Sequence, residues 1–116
     1  MTVMARAATT SDVFNAIAEP RRREILVLLR TGERPVAQLA QQLGMPQPGA
    51  SKHLRVLREV GLVQDRKSGK QRLYGLDARG LRRVHEWTGG FEQFWNEGFD
   101  RLDEYVQDLK QARQAD

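Results

Sequence analysis

The stretch Gly44–Val63, GMPQPGASKHLRVLREVGLV, decides the fold. Its second half has the spacing of an amphipathic helix. With Ala50 as the inward reference, Leu54, Leu57 and Gly61 fall within about 40° of it at ~100° per residue. Gln47, Pro48, Ser51, Lys52, Arg55 and Arg58 occupy a broad opposite face. The first half carries Pro46, Pro48 and Gly49, residues that ordinarily stop a helix. The conflict resolves if they lie in or just before the first turn, where N–H groups have no intrahelical acceptors and proline costs little. Pro46 leaves that end without a side-chain cap.

Immediately upstream, RPVAQLAQQLG places Val36, Leu39, Ala40 and Leu43 at i, i+3, i+4 and i+7, a short core-facing helix that Gly44 ends. Two short amphipathic helices joined through a Gly-containing turn make a helix-turn-helix. Further upstream, EPRRREILVLLRTG reads as a helix with Pro20 at its first position and Gly32 at its close. Ile25, Leu28 and Leu29 form its apolar stripe, which Leu26 widens. Before it, Ser11 or Thr10 is expected to cap a short helix carrying Val13, Phe14 and Ile17 on one side.

After Gly61 the period changes. LVQDRKSGKQRLYGL predicts strand, a Lys67-Ser68-Gly69-Lys70 turn, and strand. Arg66, Lys67, Lys70 and Arg72 are expected to cluster at its tip. From about Asp77 the chain is helical again, with Trp87, Phe91, Phe94, Trp95, Phe99, Leu102, Val106 and Leu109 recurring at spacings of three and four. Gly89-Gly90 predicts a bend or break, at roughly 1 kcal/mol per glycine relative to alanine. The fold class is therefore mainly α with a small β-hairpin: a winged helix-turn-helix with a long C-terminal helical region. Residues 1–10 are expected to be a flexible N-terminus and 11–116 one domain. Within it the helix-turn-helix spans 35–60, the wing 62–76 and the C-terminal dimerisation helices 77–113.

Composition narrows the function. At 116 residues, 40% hydrophobic and 29% charged, the chain reads as a soluble globular domain. It has no cysteine, which removes disulfides, thiol catalysis and thiolate metal sites together. Neither a signal peptide nor a membrane-length apolar run is evident, so a cytoplasmic protein away from membranes is expected. Charge is unevenly placed: 16 Lys/Arg against 7 Asp/Glu through Arg83, then 3 against 8 from Val84 onward. A basic body with an acidic end suits one surface facing a polyanion and another facing something else; a salt-bridged helix beside an ordinary basic surface gives the same counts.

The polar face of the Gly44–Val63 helix has the chemistry of a reader of double-stranded DNA. A major groove about 12 Å wide admits one α-helix, whose N-terminal side chains reach the base edges. Gln47, Ser51 and Lys52 hold those positions, beside Pro48. Gln pairs bidentately with adenine and Lys donates to guanine. Arg55 and Arg58, further along, suit phosphates, as do Arg66, Lys67, Lys70 and Arg72 of the wing. Gly49, lacking a side chain, is expected to allow close approach to the duplex. His53 lies at the flank of the apolar stripe, where a half-buried, hydrogen-bonded role competes with a phosphate contact. The aromatic stripe reads as core or subunit interface, and a terminal apolar face too large for a small domain to cover points to a homodimer. A pocket between those aromatics for a small-molecule inducer stays open.

No enzyme constellation is present. Ser51 and His53 point about 160° apart on a helix of ~100° per residue, so they form no nucleophile–base pair. There is no phosphate-cradling glycine loop, no HExxH and no cofactor motif. His85 and Glu86 are adjacent, hence on different helical faces, leaving no metal site in the sequence pattern.

Three segments, FNAIAEPRRREILVLL, VAQLAQQLGMPQPGASKHLRVLREVGLV and GKQRLYGL, together resemble the winged-helix repressors of the ArsR family over about Val13 to Leu76. The resemblance implies a dimer that binds operator DNA through the Gln47–Val60 helix and releases it when an inducer binds. It also implies dimer contacts from the first and last helices, here Phe14 together with Trp87, Phe91, Phe94, Trp95, Phe99, Leu102 and Val106. Where metal-sensing members often carry two cysteines, this chain has Pro35 and Ala37, so that thiolate site is absent, and its Trp/Phe-rich ending, FWNEGFDRLDEYV, resembles a metal-independent subgroup of the family. Two alternatives remain open: a winged helix serving as a protein-interaction module through its aromatic helix, and a metal sensor with His and carboxylate ligands.

Overall fold

The computed structural model describes residues 12–115. By internal contacts the chain divides into two compact units, Met1–Val84 and His85–Asp116. The first contains helices α1 (Val13–Ala18) and α2 (Pro20–Leu28), strand β1 (Arg34–Pro35), helices α3 (Val36–Leu43) and α4 (Gln47–Glu59), and strands β2 (Val63–Ser68) and β3 (Gln71–Leu76). Short 3-10 turns occupy Leu29–Thr31 and Ala78–Leu81. Helix α5 (Arg82–Gly89) starts in this unit, and α6 (Glu92–Ala115) lies in the second.

Asp12 caps α1, its Oδ1 accepting the Phe14 N–H at 3.0 Å. The expected caps Thr10 and Ser11 lie outside the described residues, as do residues 1–10, expected to be flexible. The inward side of α1 also differs from expectation. Val13 and Ala16 are buried and Ile17 half-buried, while Phe14 is exposed. Neighbours on a helix stand ~100° apart, so a two-turn helix that buries Val13 turns Phe14 outward.

Helix α2 begins as expected, with Pro20 at its first position and the Glu19 carboxylate accepting the Arg22 N–H at 3.1 Å. Its stripe is Ile25 and Leu26, both buried, with Leu28 half-buried, and Leu29 in the 3-10 turn that follows is buried too. Between α3 and α4, Gly44 takes a left-handed φ of 64°. That conformation lets the Met45 N–H reach the Ala40 carbonyl at 3.0 Å and the Gly44 N–H reach Gln41 at 3.2 Å. This two-bond pattern satisfies the last carbonyls of α3 and redirects the chain into α4.

Ala50, Leu54 and Leu57 on α4 are fully buried. With Ile25, Leu39 and Leu62 they centre the core, each large side chain contributing about 1.5–3 kcal/mol of burial. Gly61, expected as a fourth inward residue of the helix, instead follows it. There the Leu62 N–H closes back on Leu57 O at 2.9 Å.

The sheet has three antiparallel strands in the order β1-β3-β2, one more than the hairpin expected from sequence. Strand β1 is only Arg34 and Pro35, opposite Tyr74 and Leu73. In the hairpin, Ser68 pairs with Gln71, so the loop is Gly69-Lys70 and Lys67 belongs to the strand, one residue on from the expected Ser-Gly turn. Gly69 has φ 62° and Lys70 does not, as in a type II′ turn, which needs glycine at its first central position. In the second unit α5 ends at Gly89 and α6 begins at Glu92, so the helix breaks at Gly90-Phe91, beside the glycine pair where the sequence predicts a bend or break.

Candidate nucleic-acid interface

Helix α4 turns one face to the core and the other to solvent. Opposite the fully buried Ala50, Leu54 and Leu57, the residues Gln47, Pro48, Ser51, Lys52, Arg55 and Arg58 are all exposed. Its first turn has Pro46 as cap residue with no side-chain hydrogen bond, and the Gly49 and Ala50 N–H groups bond the Pro46 carbonyl. A Cβ at Gly49 would stand 2.9 Å from the Met45 Cε, the free end of a flexible side chain that can move aside.

His53 is half-buried, with Nε2 3.9 Å from the Glu19 carboxylate that caps α2. At that distance the two side chains form an ion pair only when the imidazole is protonated.

The four wing cations do not form a single cluster, because cross-strand partners share a face and neighbours along a strand alternate. Lys67 and Arg72 are direct partners, so they share one face with Asp65 and Val63. Arg66 lies on the other face, bound in two parallel hydrogen bonds of 2.8 and 3.0 Å to the Glu33 carboxylate. Lys70 sits in the turn. Like charges directly opposite each other, as at Lys67 and Arg72, are unfavourable unless a counter-charge is near.

Asp65 supplies one. Its side chain is only 11% exposed, and its Oδ2 accepts from Arg72 Nη1 at 2.8 Å and from Arg58 Nη1 at 3.2 Å. Partial burial pushes this carboxyl up, but the Arg72 hydrogen bond and the Arg58 and Arg72 charges outweigh it and hold it below the usual carboxylate range. Glu33 is held low by the Arg66 hydrogen bond, and Asp77 by that of Arg79. Neither Asp65 nor Glu33 was singled out from the sequence. The available signal was an acidic residue at period two from Val63 and Lys67 within an otherwise basic hairpin.

These depressed carboxyls fix a pH dependence. Each binds its proton less readily in the folded chain than in the unfolded one, so the unfolded state takes up more protons at low pH. The stabilisation is complete above the ordinary carboxyl range and disappears as pH falls through the lowered folded values. The melting temperature is therefore expected to be flat between about pH 7 and pH 5 and to fall below about pH 4. Melting curves across that range check this, and a rise on acidification would contradict it.

In the second unit, Trp87, Phe91, Phe94, Trp95, Leu102 and Val106 are all exposed in the single chain, Phe94 to 73%. The Trp87 and Phe91 rings touch at 5.0 Å between centroids, tilted by 55°. The side chain of Phe99 lies outside the described residues. Among the described residues, no three His, Cys, Asp or Glu side chains group as metal ligands. No helix among them is long and apolar enough to cross a membrane.

A helix-turn-helix with an outward polar second helix and an adjoining antiparallel wing defines a winged-helix DNA-binding regulator. Known proteins agree. The family described as bacterial regulatory protein, arsR family, matches residues 19–65. The chain is 31% identical over 81 residues to the transcriptional repressor SdpR of Bacillus subtilis, covering 70% of this chain and 90% of that protein. It is 43% identical over 70 residues to the HTH-type transcriptional regulator NmtR of Mycobacterium tuberculosis, covering 60% of this chain and only 58% of that protein. Among solved structures, it is similar to a homodimeric winged helix-turn-helix DNA-binding domain from Mycobacterium bovis. That match has a TM-score of 0.58 at 29% identity and covers 79% of this chain and 82% of that one. This chain belongs to the arsR family and is a winged helix-turn-helix transcriptional regulator. The family is one of regulators rather than enzymes.

Proposed function

We propose that the protein is a cytoplasmic, homodimeric repressor that binds a pseudopalindromic operator through α4 and the wing. The observation that carries this reading is the exposed row Gln47, Ser51, Lys52 and Arg55, set on a helix whose opposite side is fully buried. Gln47, Ser51 and Lys52 lie nearest the bases, with Pro48 at the tip. Arg55, Arg58, Lys67, Lys70 and Arg72 contact the backbone. Arg66 reaches phosphate only from the face it shares with Glu33, and His53 acts mainly by holding α4 in place.

The same reading takes residues 11–116 as one functional domain. Phe14, Trp87, Phe91, Phe94, Trp95, Phe99, Leu102 and Val106 form the dimer contact, and the exposed aromatic rings of the second unit favour this over a solvated helix. Two-fold symmetry then sets two α4 helices about one helical turn of DNA, ~34 Å, apart. Release by a small-molecule inducer belongs to the proposal; the sensing of metals by thiolates does not, since the chain has no cysteine.

Selection of bound sites from a random DNA pool tests the reading, and a two-fold symmetric consensus is expected. Against it, Gln47→Ala relaxes preference at one position per half-site, a change of about 1–3 kcal/mol in discrimination. Lys70→Ala weakens binding to every sequence alike and flattens the salt dependence by about 0.9 for each phosphate no longer neutralised. Equal losses on all sequences for both variants would contradict the division of roles.

A further inference from the structure

Asp65 presents a puzzle for a surface that meets a polyanion. It puts a negative charge between two of the cations that the proposed function assigns to the DNA backbone. Simple electrostatics says such a residue weakens binding, and that removing it should help. The geometry suggests otherwise. Asp65 is 11% exposed, whereas the Arg58 and Arg72 side chains are 50% and 53% exposed. The carboxylate thus lies beneath the guanidinium groups, with the cations outermost.

One oxygen, Oδ2, holds both cations, at 3.2 Å to Arg58 Nη1 and 2.8 Å to Arg72 Nη1. Arg58 belongs to the last turn of α4, and Arg72 to the second strand of the wing. A guanidinium has five N–H donors, so one bond to Asp65 leaves each arginine donors for a phosphate. Two long side chains otherwise free to wander are thereby pinned, which removes entropy that would be lost on binding. The trio keeps a net positive charge.

We propose that Asp65 is a positioning residue for DNA binding, clamping the recognition helix to the wing and fixing Arg58 and Arg72 as a preset pair for the phosphate backbone. This rests on the DNA-binding reading above. Asp65 itself touches no DNA.

The test compares two variants that remove the same charge but different amounts of acceptor. Asp65→Asn keeps the shape and one acceptor oxygen; Asp65→Ala keeps neither. Binding of each to a random-sequence duplex is titrated across a salt series, with melting curves to give the fraction of folded molecules. Per folded molecule, Asp65→Ala is expected to bind about tenfold more weakly than wild type, with a log–log salt slope flatter by about 1–2 per protomer. Asp65→Asn should fall between the two. If both variants bind equally and more tightly than wild type, Asp65 only neutralises its neighbours and the inference is overturned. A weakening explained wholly by fewer folded molecules, with the slope unchanged, overturns it as well. If wild type itself shows no salt-sensitive binding, the DNA reading fails first and this inference with it.

Discussion

Leu54→Ala is expected to lower the unfolding free energy by about 2–5 kcal/mol. Leu54 is fully buried, and so are Ala50 and Leu57 on the same face of α4. It belongs to the core cluster that includes Ile25 and Leu39, contributed by α2 and α3. Truncation therefore removes apolar packing and leaves a cavity that three helices cannot all close at once. Domains of this size carry only about 5–15 kcal/mol in total, so the effect is a large fraction of it. At about 4 °C per kcal/mol for a chain of this size, the melting point should drop by about 8–20 °C. Urea unfolding measures the change directly, and a value below about 1 kcal/mol would mean that α4 is not the keystone of the core.

Lys52→Ala should do the reverse, leaving stability within about 0.5 kcal/mol while removing most operator binding. Lys52 is exposed, on the face of α4 away from the core. A good side-chain contact to a base edge is worth about 1–3 kcal/mol of discrimination, and a symmetric dimer forfeits it twice. The affinity for the selected site should fall by roughly 25-fold to 10⁴-fold, with a much smaller change on random DNA. A titration of both duplexes decides it. If Lys52→Ala weakens both duplexes by the same factor, Lys52 contacts phosphate and the base-reading role passes to Gln47 and Ser51. Taken together, the two variants separate what α4 does for the fold from what its outer face does for recognition.

Much of the fold is legible in the sequence because helices announce themselves locally. Ile25 and Leu29, Val36 to Leu43, and Ala50 to Leu57 each repeat at helical spacing, and each set is buried or half-buried. Gly44 and the Gly89-Gly90 pair punctuate where expected. The features that escape depend on partners distant in sequence. Strand β1 is two residues long and exists only by pairing with Leu73 and Tyr74. No local pattern marks it, and Pro35 argues against a strand unless it lies at a sheet edge, where β1 is.

The wing shows the same limit. Counting Lys and Arg finds a basic hairpin, but register decides which cations share a face. A one-residue shift in the turn reassigns Lys67 to the strand, opposite Arg72. Arg66 then falls on the far side, where Glu33, 33 residues away in sequence, holds it. The partnership of Asp65 with Arg58 is likewise a matter of how α4 packs on the sheet. Phe14 escapes for a smaller reason: with only two turns of helix, the wheel can be set to bury it or to expose it.

Whether this chain grips DNA through an array of cations on α4 and the wing is decided most directly by its affinity across a salt series. The purified protein is titrated with its selected site and with random DNA between about 50 and about 200 mM salt. Each phosphate contact contributes about −0.9 to the slope of log K against log salt. The backbone contacts proposed for Arg55, Arg58, Lys67, Lys70 and Arg72 predict a steep negative slope on both duplexes, with the selected site bound more tightly throughout. Binding that does not change with salt, or no binding near physiological ionic strength, would contradict this and move the winged helix to a protein-interaction role.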